Sequence, residues 1–441
     1  MGVQPGLERM QALLAEVGNP HLHIPSFHVG GTNGKGSTAA ILAAVLQAGG
    51  YRVGLHTSPH LVDLTERYLV GGVPVTPDAL TAAASTLRPA VDRLLPTFFE
   101  ATVALAFQVF RQEGVDGMVV EVGLGGRLDA TNVLTPLAAG VTRIGVDHEE
   151  FLGSSTESIA LEKAGIAKPG VPFLTTEPDV LLRGVLEKEA RRRGAQVLPV
   201  PPLGSLLHDP HMATTELKGV GNTTAPRRTS TPGESLVPAL ALAGAHQVEN
   251  ARLALALLDA GAPHFRVSAE DRRTGLVGVR WPGRLDLRVV GGRPWLFDVA
   301  HNPQGAESLH RELTAGPLGR ELIGPRVLVV GILGDKPWQR MLEQLAPIVD
   351  VVHLVDPPSA PEERRWNGEA VWSWVKEQPW GGKAKSGVGP LAPLLKELAS
   401  HPGQGSVVVT GSTHTVGDAF QVLGLRPFSP HSGLLQRPDS G

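Results

Sequence analysis

The stretch "FHVGGTNGKGSTAAILAAVL", Phe27 to Leu46, decides how the first half of the chain is read. A short apolar run stops in a glycine cluster, Gly30, Gly31, Gly34 and Gly36, which also holds one lysine, Lys35, and is followed by two hydroxyls, Ser37 and Thr38. An apolar helical pattern follows and is closed by Gly49 and Gly50. Strand, glycine loop and helix in this order gather backbone N–H groups and a helix N-terminus around an anion, with Lys35 as a point charge. A hydroxyl just past the lysine is placed to reach a Mg2+ that bridges phosphates. The residues expected to cradle phosphate are Gly31, Thr32, Asn33, Gly34, Lys35, Gly36, Ser37 and Thr38. The spacing departs from the common phosphate loop. Only three residues separate Gly30 from Gly34-Lys35, and Gly36 intervenes before Ser37.

Outward from this loop, apolar runs alternate with helical patterns. "YRVGLHTS" (51–58), "DGMVVEVG" (116–123), "AAGVTRIG" (138–145) and "AQVLPV" (195–200) read as strands. "ATVALAFQVFRQEG" and "VLLRGVLEKEARRRG" read as helices, as does "ALAGAHQVENARLALALLDAG", ending at Gly261. Alternation of this kind predicts an α/β fold with a mostly parallel, doubly wound sheet. Residues 201–233, rich in Pro, Gly and Thr, read as loop. A second α/β series of Rossmann-like character begins near Arg284. "RPWLFDVA", "PRVLVVGIL", "VDVVHLVD" and "GQGSVVVTGS" are its strands, and "PQGAESLHREL" is a helix with Pro303 near its start. The expected division is an ATP-binding domain over 1–280, a second domain over 281–425 and a flexible tail over 426–441.

The 441 residues suffice for two or three domains, and the apolar share of 42% is that of an ordinary globular protein. A net charge of −3 leaves no electrostatic footprint for nucleic acid or an anionic membrane. The absence of cysteine excludes disulfides, thiolate metal sites and cysteine nucleophiles. No apolar run approaches the roughly 20 residues of a membrane span, and "MGVQPGLERM" lacks the apolar core of a signal peptide. A monomeric cytoplasmic enzyme acting on small molecules is the expectation.

Glu121 ends a buried-strand pattern beside a glycine turn, where α/β sheets open their ligand crevice. A salt-bridged or capping glutamate is the plainer reading, but a carboxylate inside "MVVEVG" is unusual. Asp147 and His148 follow another strand and repeat the placement. On composition alone Lys163, in "ALEKAGI", is a solvated helix lysine.

Taken in order, "HVGGTNGKGST", "LHTSPHLVDLTER", "EVGLGGRLDATN", "GVDHEEFLG", "IALEKAGIAKPG", "GAHQVENA", "WPGR", "DVAHNP" and "GDKPW" resemble the Mur ligase superfamily. More narrowly they are similar to folylpolyglutamate synthase and its bifunctional relative, dihydrofolate synthase/folylpolyglutamate synthase, over nearly the whole chain from Gly6 to Ser412. The resemblance implies an ATP-dependent ligase that joins L-glutamate to a reduced folate, or to dihydropteroate, through an acyl phosphate. It implies two Mg2+ sites. Ser58, Glu121 and His148 would ligate one, and Ser37 with Glu121 would serve the metal at the ATP phosphates. Lys163 matches a lysine that is usually carbamylated by CO2 and then acts as a carboxylate-like ligand, which requires a desolvated or cation-rich site. Asn250 and Gln247 resemble ATP contacts, with helix capping the plainer alternative. Arg284 would reach a phosphate, or is a linker arginine. Asp298 would contact the nucleotide, and His301 the incoming glutamate. Val299 stands where many relatives have glycine. Arg127, Asp129, Asn132 and Ser412 are the remaining substrate-side candidates, although an Asp-Asn turn network accounts equally for Asp129 and Asn132. "HTSPHLVDLTERY", with Glu66 and Arg67, would be a mobile loop over the site. A peptidoglycan ligase of the same chemistry and a nucleotide-binding switch without ligase activity are the competing readings.

Overall fold

The computed structural model describes residues 6–145, 155–207, 240–322, 324–401 and 405–428. His148 and most of the 201–233 stretch lie outside these. The described strands form two sheets. The first contains β1 (Ser26–Gly30), β2 (Val53–His56), β3 (Tyr68–Val70), β4 (Val73–Pro74), β5 (Gly117–Glu121), β6 (Ala138–Val141), β7 (Pro172–Thr175) and β8 (Gln196–Val197). Their order is β4-β3-β2-β5-β1-β6-β7-β8, parallel except for the β2-β3-β4 edge. The second contains β9 (Asp286–Val290), β10 (Arg293–Asp298), β11 (Arg326–Val330), β12 (Val351–Asp356), β13 (Gly389–Pro390) and β14 (Ser406–Thr410). It is ordered β13-β12-β11-β14-β10-β9, and β9 is antiparallel to β10. The expectation of two α/β layers around mainly parallel sheets holds.

Side-chain alternation shows why the central strands read as unbroken apolar runs. In β1, Phe27 and Val29 enter the core beneath the helices Lys35–Ala48 and His246–Ala260. In β5, Met118 and Val120 enter the opposite core with the helices Pro77–Leu94 and Phe98–Gln112, while Val119 joins the first. In the second sheet Leu328, Val330 and Val408 pack on one face, and Val329, Val407 and Val409 on the other. Both faces of both sheets are therefore covered, as parallel sheets require.

The loop helix Lys35–Ala48 is apolar almost all round because it is buried between the sheet and the helices His246–Ala260 and Ala269–Gly278. The helices Pro77–Leu94 and Ala269–Gly278 and the strands β3, β4, β7 and β9 were absent from the reading of the sequence.

Candidate active site

The carboxyl ends of β1, β2 and β5 face the start of the second domain across a cleft. Its lining includes Gly36, Ser58, Glu121, Trp281, Arg284 and Phe428. The glycine loop reaches this cleft in a conformation its glycines permit. Gly34 has φ +96°, and a Cβ there would lie 2.4 Å from Asn250 Oδ1. Only glycine combines that backbone with that approach. Thr32 fastens the loop from outside. Its N–H donates to the Arg143 carbonyl at 2.9 Å, and its hydroxyl pairs with the Gly145 backbone at 3.0–3.1 Å. Lys35 Nζ donates to the Thr32 carbonyl at 3.1 Å, folding the ammonium back over the loop.

Asn250 and Gln247 lie in the first turns of their helix, and neither caps it; the N-cap is Ala245, with no side-chain bond. Asn250 donates to Gln247 Oε1 at 2.8 Å, and Gln247 Nε2 lies 3.4 Å from Ser37 Oγ. The capping alternative therefore fails, and both amides serve the loop. The neighbouring Thr38 hydroxyl is buried with no hydrogen-bond partner among the described residues.

Glu121 is 5% exposed, and its carboxylate accepts the Ser58 N–H at 3.1 Å. Burial pushes its pKa up, while Lys35, that N–H, Arg284 and Arg67 oppose the shift. Arg284 makes no direct hydrogen bond or ion pair with a described residue, and its charge favours the ionised forms of both Glu121 and Asp298. Asp298 accepts the Leu285 and Ala300 N–H groups, both at 2.9 Å, and burial raises its pKa against the pull of Arg284. Val299 is accommodated without a left-handed backbone. It packs in the second-domain core, and its N–H donates to the Gly283 carbonyl at 2.9 Å.

Among the described residues no group of three or more His, Cys, Asp or Glu side chains forms a metal cage. The donor set still fits Mg2+, which takes few protein ligands and keeps several waters. It consists of a buried, under-donated carboxylate, Glu121, together with the hydroxyls of Ser37 and Ser58. Lys163 is buried at 5% exposure, which corrects its reading as a solvated helix lysine. The loop before Arg127 lies directly on its helix: a Cβ on Gly126 would sit 3.0 Å from Lys163 Cα.

The remaining candidates divide. Asp129 caps a short helical turn, accepting N–H groups from Leu124 and Thr131 at 2.8 and 2.9 Å. Asn132 donates to the Arg127 and Gly165 carbonyls at 2.9 and 3.2 Å. Their side chains hold the turn network itself. Arg127, half exposed, pairs with Glu162 at 2.7 Å. Ser412 caps the helix Thr413–Val422 through the Thr415 N–H at 3.0 Å. His301 Nδ1 lies 2.8 Å from the Val299 carbonyl, at the start of the helix Pro303–Ala315. The segment 57–67 is tied down by its own Glu66, which accepts three backbone N–H groups, from Leu61, Val62 and Asp63, at 2.8–3.0 Å.

Asn302, Gln304 and Phe98 are not among the residues expected from the sequence, and the first two meet the expected loop residue Asn33. Asn33 Nδ2 donates to Gln304 Oε1 at 2.7 Å, and Asn302 Nδ2 donates to Asn33 Oδ1 at 3.0 Å. Gln304 Nε2 also donates to the Ile144 carbonyl at 3.3 Å. The nucleotide loop is thus clasped by two amides of the second domain. Phe98 is 63% exposed, with the Arg67 guanidinium 5.6 Å from its ring centre. The "NPQ" triplet and the doubled Phe98-Phe99 were the available signals.

Residues 29–258 match the Mur ligase middle domain. The chain is 35% identical over 434 residues to the dihydrofolate synthase/folylpolyglutamate synthase of Bacillus subtilis, covering 95% of this chain and 94% of that one. It is 33% identical to the folylpolyglutamate synthase of Lacticaseibacillus casei, covering 94% of each. Among solved structures, E. coli FolC in complex with DHPP and ADP superposes with a TM-score of 0.77 at 30% identity, covering 96% of this chain and 94% of that one. A glycine loop held against a second α/β domain, a buried carboxylate on the cleft they share, and this likeness along nearly the full length have one reading: the chain belongs to the Mur ligase superfamily, in its folylpolyglutamate synthase/dihydrofolate synthase family.

Proposed function

We propose that the protein is an ATP-dependent carboxylate–amine ligase that adds L-glutamate to the γ-carboxyl of a reduced folate, with dihydropteroate as a second acceptor. The observation that carries this reading is a single cleft that brings together the glycine loop at Gly36, the buried Glu121 and, from the second domain, Arg284. The names of the relatives support folate acceptors over muropeptides, and buried ligand-type groups argue against a switch without chemistry.

Forming an amide from a carboxylate in water is uphill. Transfer of the γ-phosphoryl group from ATP to the acceptor carboxylate gives an acyl phosphate, which the glutamate amine attacks with release of phosphate. The chain supplies position and charge. Amides of the glycine loop hold the phosphates, and Lys35 and Arg284 offset the charge that develops during transfer. Exposed Phe98 beneath Arg67 offers a flat apolar face with a cation above it, suited to a heteroaromatic ring. His301 is positioned for the incoming amino acid. Mg2+ held by Ser37, Ser58 and Glu121, with His148 and a carbamylated Lys163 completing the set, would neutralise phosphate charge when bound.

The test is glutamate-dependent phosphate release with Mg-ATP, using tetrahydrofolate and dihydropteroate in parallel. Release with both acceptors makes the enzyme bifunctional. Release with tetrahydrofolate alone makes it a polyglutamate synthase, and release with neither overturns the folate assignment.

A further inference from the structure

The segment Arg426–Phe428 falls where the sequence suggests a frayed tail, yet it is fastened to the active-site cleft. Arg288 on β9 is buried at 6% exposure, chelates Asp286 at 2.9–3.1 Å and stacks over Phe420 at 4.5 Å. From that fixed position its guanidinium donates to the Arg426 carbonyl at 3.0 Å and the Pro427 carbonyl at 3.3 Å. The next residue, Phe428, turns its ring onto Trp281, with centroids 6.1 Å apart and planes at 64°. Trp281 in turn covers the nucleotide loop: a Cβ on Gly36 would meet its indole nitrogen at 3.1 Å. Phe428 lines the same cavity as Ser58, Glu121 and Arg284.

We propose that Phe428, backed by Trp281, is a positioning residue that keeps water away from the acyl phosphate. The proposal rests on the ligase reading above and deepens it. Without such a wall, a water oxygen attacks the acyl carbon, the bond from that carbon to the phosphate oxygen breaks, and phosphate leaves. The acceptor carboxylate is regenerated and one proton goes to solvent, so that ATP is spent without an amide. An apolar aromatic pair lining the cavity lowers the local water population.

The measurement is the ratio of phosphate released to glutamyl product formed, on the full chain. Wild type gives one phosphate per amide bond. Phe428→Ala is expected to raise the ratio about threefold or more and to create acceptor-dependent phosphate release without glutamate, while Phe428→Trp restores the wild-type ratio. A one-to-one ratio in folded Phe428→Ala overturns the inference and leaves the ligase reading intact. Should that variant fail to fold, Phe428→Leu, which keeps most of the volume but not the ring, is read the same way. A wild-type protein that makes no glutamyl product overturns the ligase reading, and the inference with it.

Discussion

Lys35, Glu121 and Lys163 differ in how far their roles can be read from type and neighbourhood. In the proposed reaction Lys35 is the point charge of the loop, and its truncation takes away one of the cations facing the transferring phosphoryl group. Lys35→Ala is expected to lower phosphate release about 10³-fold with the fold retained; near-wild-type turnover would remove the loop assignment. Its candidacy was legible because glycines and a lysine at a strand–helix junction have few other uses. Glu121 stood out as a candidate because a charge is placed where apolar residues belong, and the structure buries it on the cleft. Lys163 was not, since nothing in "ALEKAGI" distinguishes a buried lysine from a solvated one; its burial is seen only in the folded chain, where the loop at Gly126 lies on the same helix. If it is carbamylated, Lys163→Ala is expected to lose activity and recover part of it with millimolar formate or acetate. A folded variant with no loss, or with loss and no recovery, refutes the carbamate.

The segment 57–67 joins the two domains at the level of elements. Glu66 ties its turn together, and the Leu61 carbonyl then lies against the helix Thr413–Val422 so closely that a Cβ on Gly417 would come within 2.1 Å of it. Gly417→Ala sits within a helix and raises local helix propensity, yet it must push the segment and the helix apart. The expectation is an unchanged circular dichroism spectrum with kcat lowered about tenfold or more; wild-type kcat would show that this contact does not set the cleft. The long helices and central strands were legible from apolar runs and glycine stops. The short antiparallel edge β3–β4 was not, because three- and two-residue strands carry no periodicity, and β9 was missed because Asp286 and Arg288 interrupt its apolar pattern. Their pairing with each other and with the C-terminal segment exists only in the folded chain.

Across the whole molecule, stability and closure depend on groups far apart in sequence. His28 and His56 are fully buried, and burial lowers their pKa values from 6.5 to about 3 and about 4. Thr131 gives its hydroxyl proton to Asp129, so His28 donates Nε2–H to Thr131, and its Nδ1 has no hydrogen-bond partner among the described residues. Below pH 6.5 the unfolded chain binds protons that the folded chain refuses. The stability these residues allow is therefore complete above pH 6.5 and falls as pH drops toward 4, by on the order of 3 kcal/mol for each histidine. Urea unfolding between pH 7.5 and 4.5 should show this slope, and His28→Gln should reduce it; an unchanged slope in the variant would assign the acid sensitivity to other groups. Closure depends on the Asn33 clasp. Asn33→Ala and Gln304→Ala are each expected to raise the KM for glutamate about tenfold, and together no more than either alone. Multiplied effects would mean that the two amides act separately. Neither amide was legible as a partner, because an asparagine in a loop or a glutamine in the first turn of a helix usually serves local hydrogen bonds. The clasp pairs side-chain carboxamides with each other and with one backbone carbonyl, with no net charge on either side. Its strength should therefore be indifferent to ionic strength, unlike an interdomain ion pair that a Debye length of about 3 Å at 1 M salt would screen, so that the loop stays registered to the second domain in concentrated brine as it does in dilute buffer.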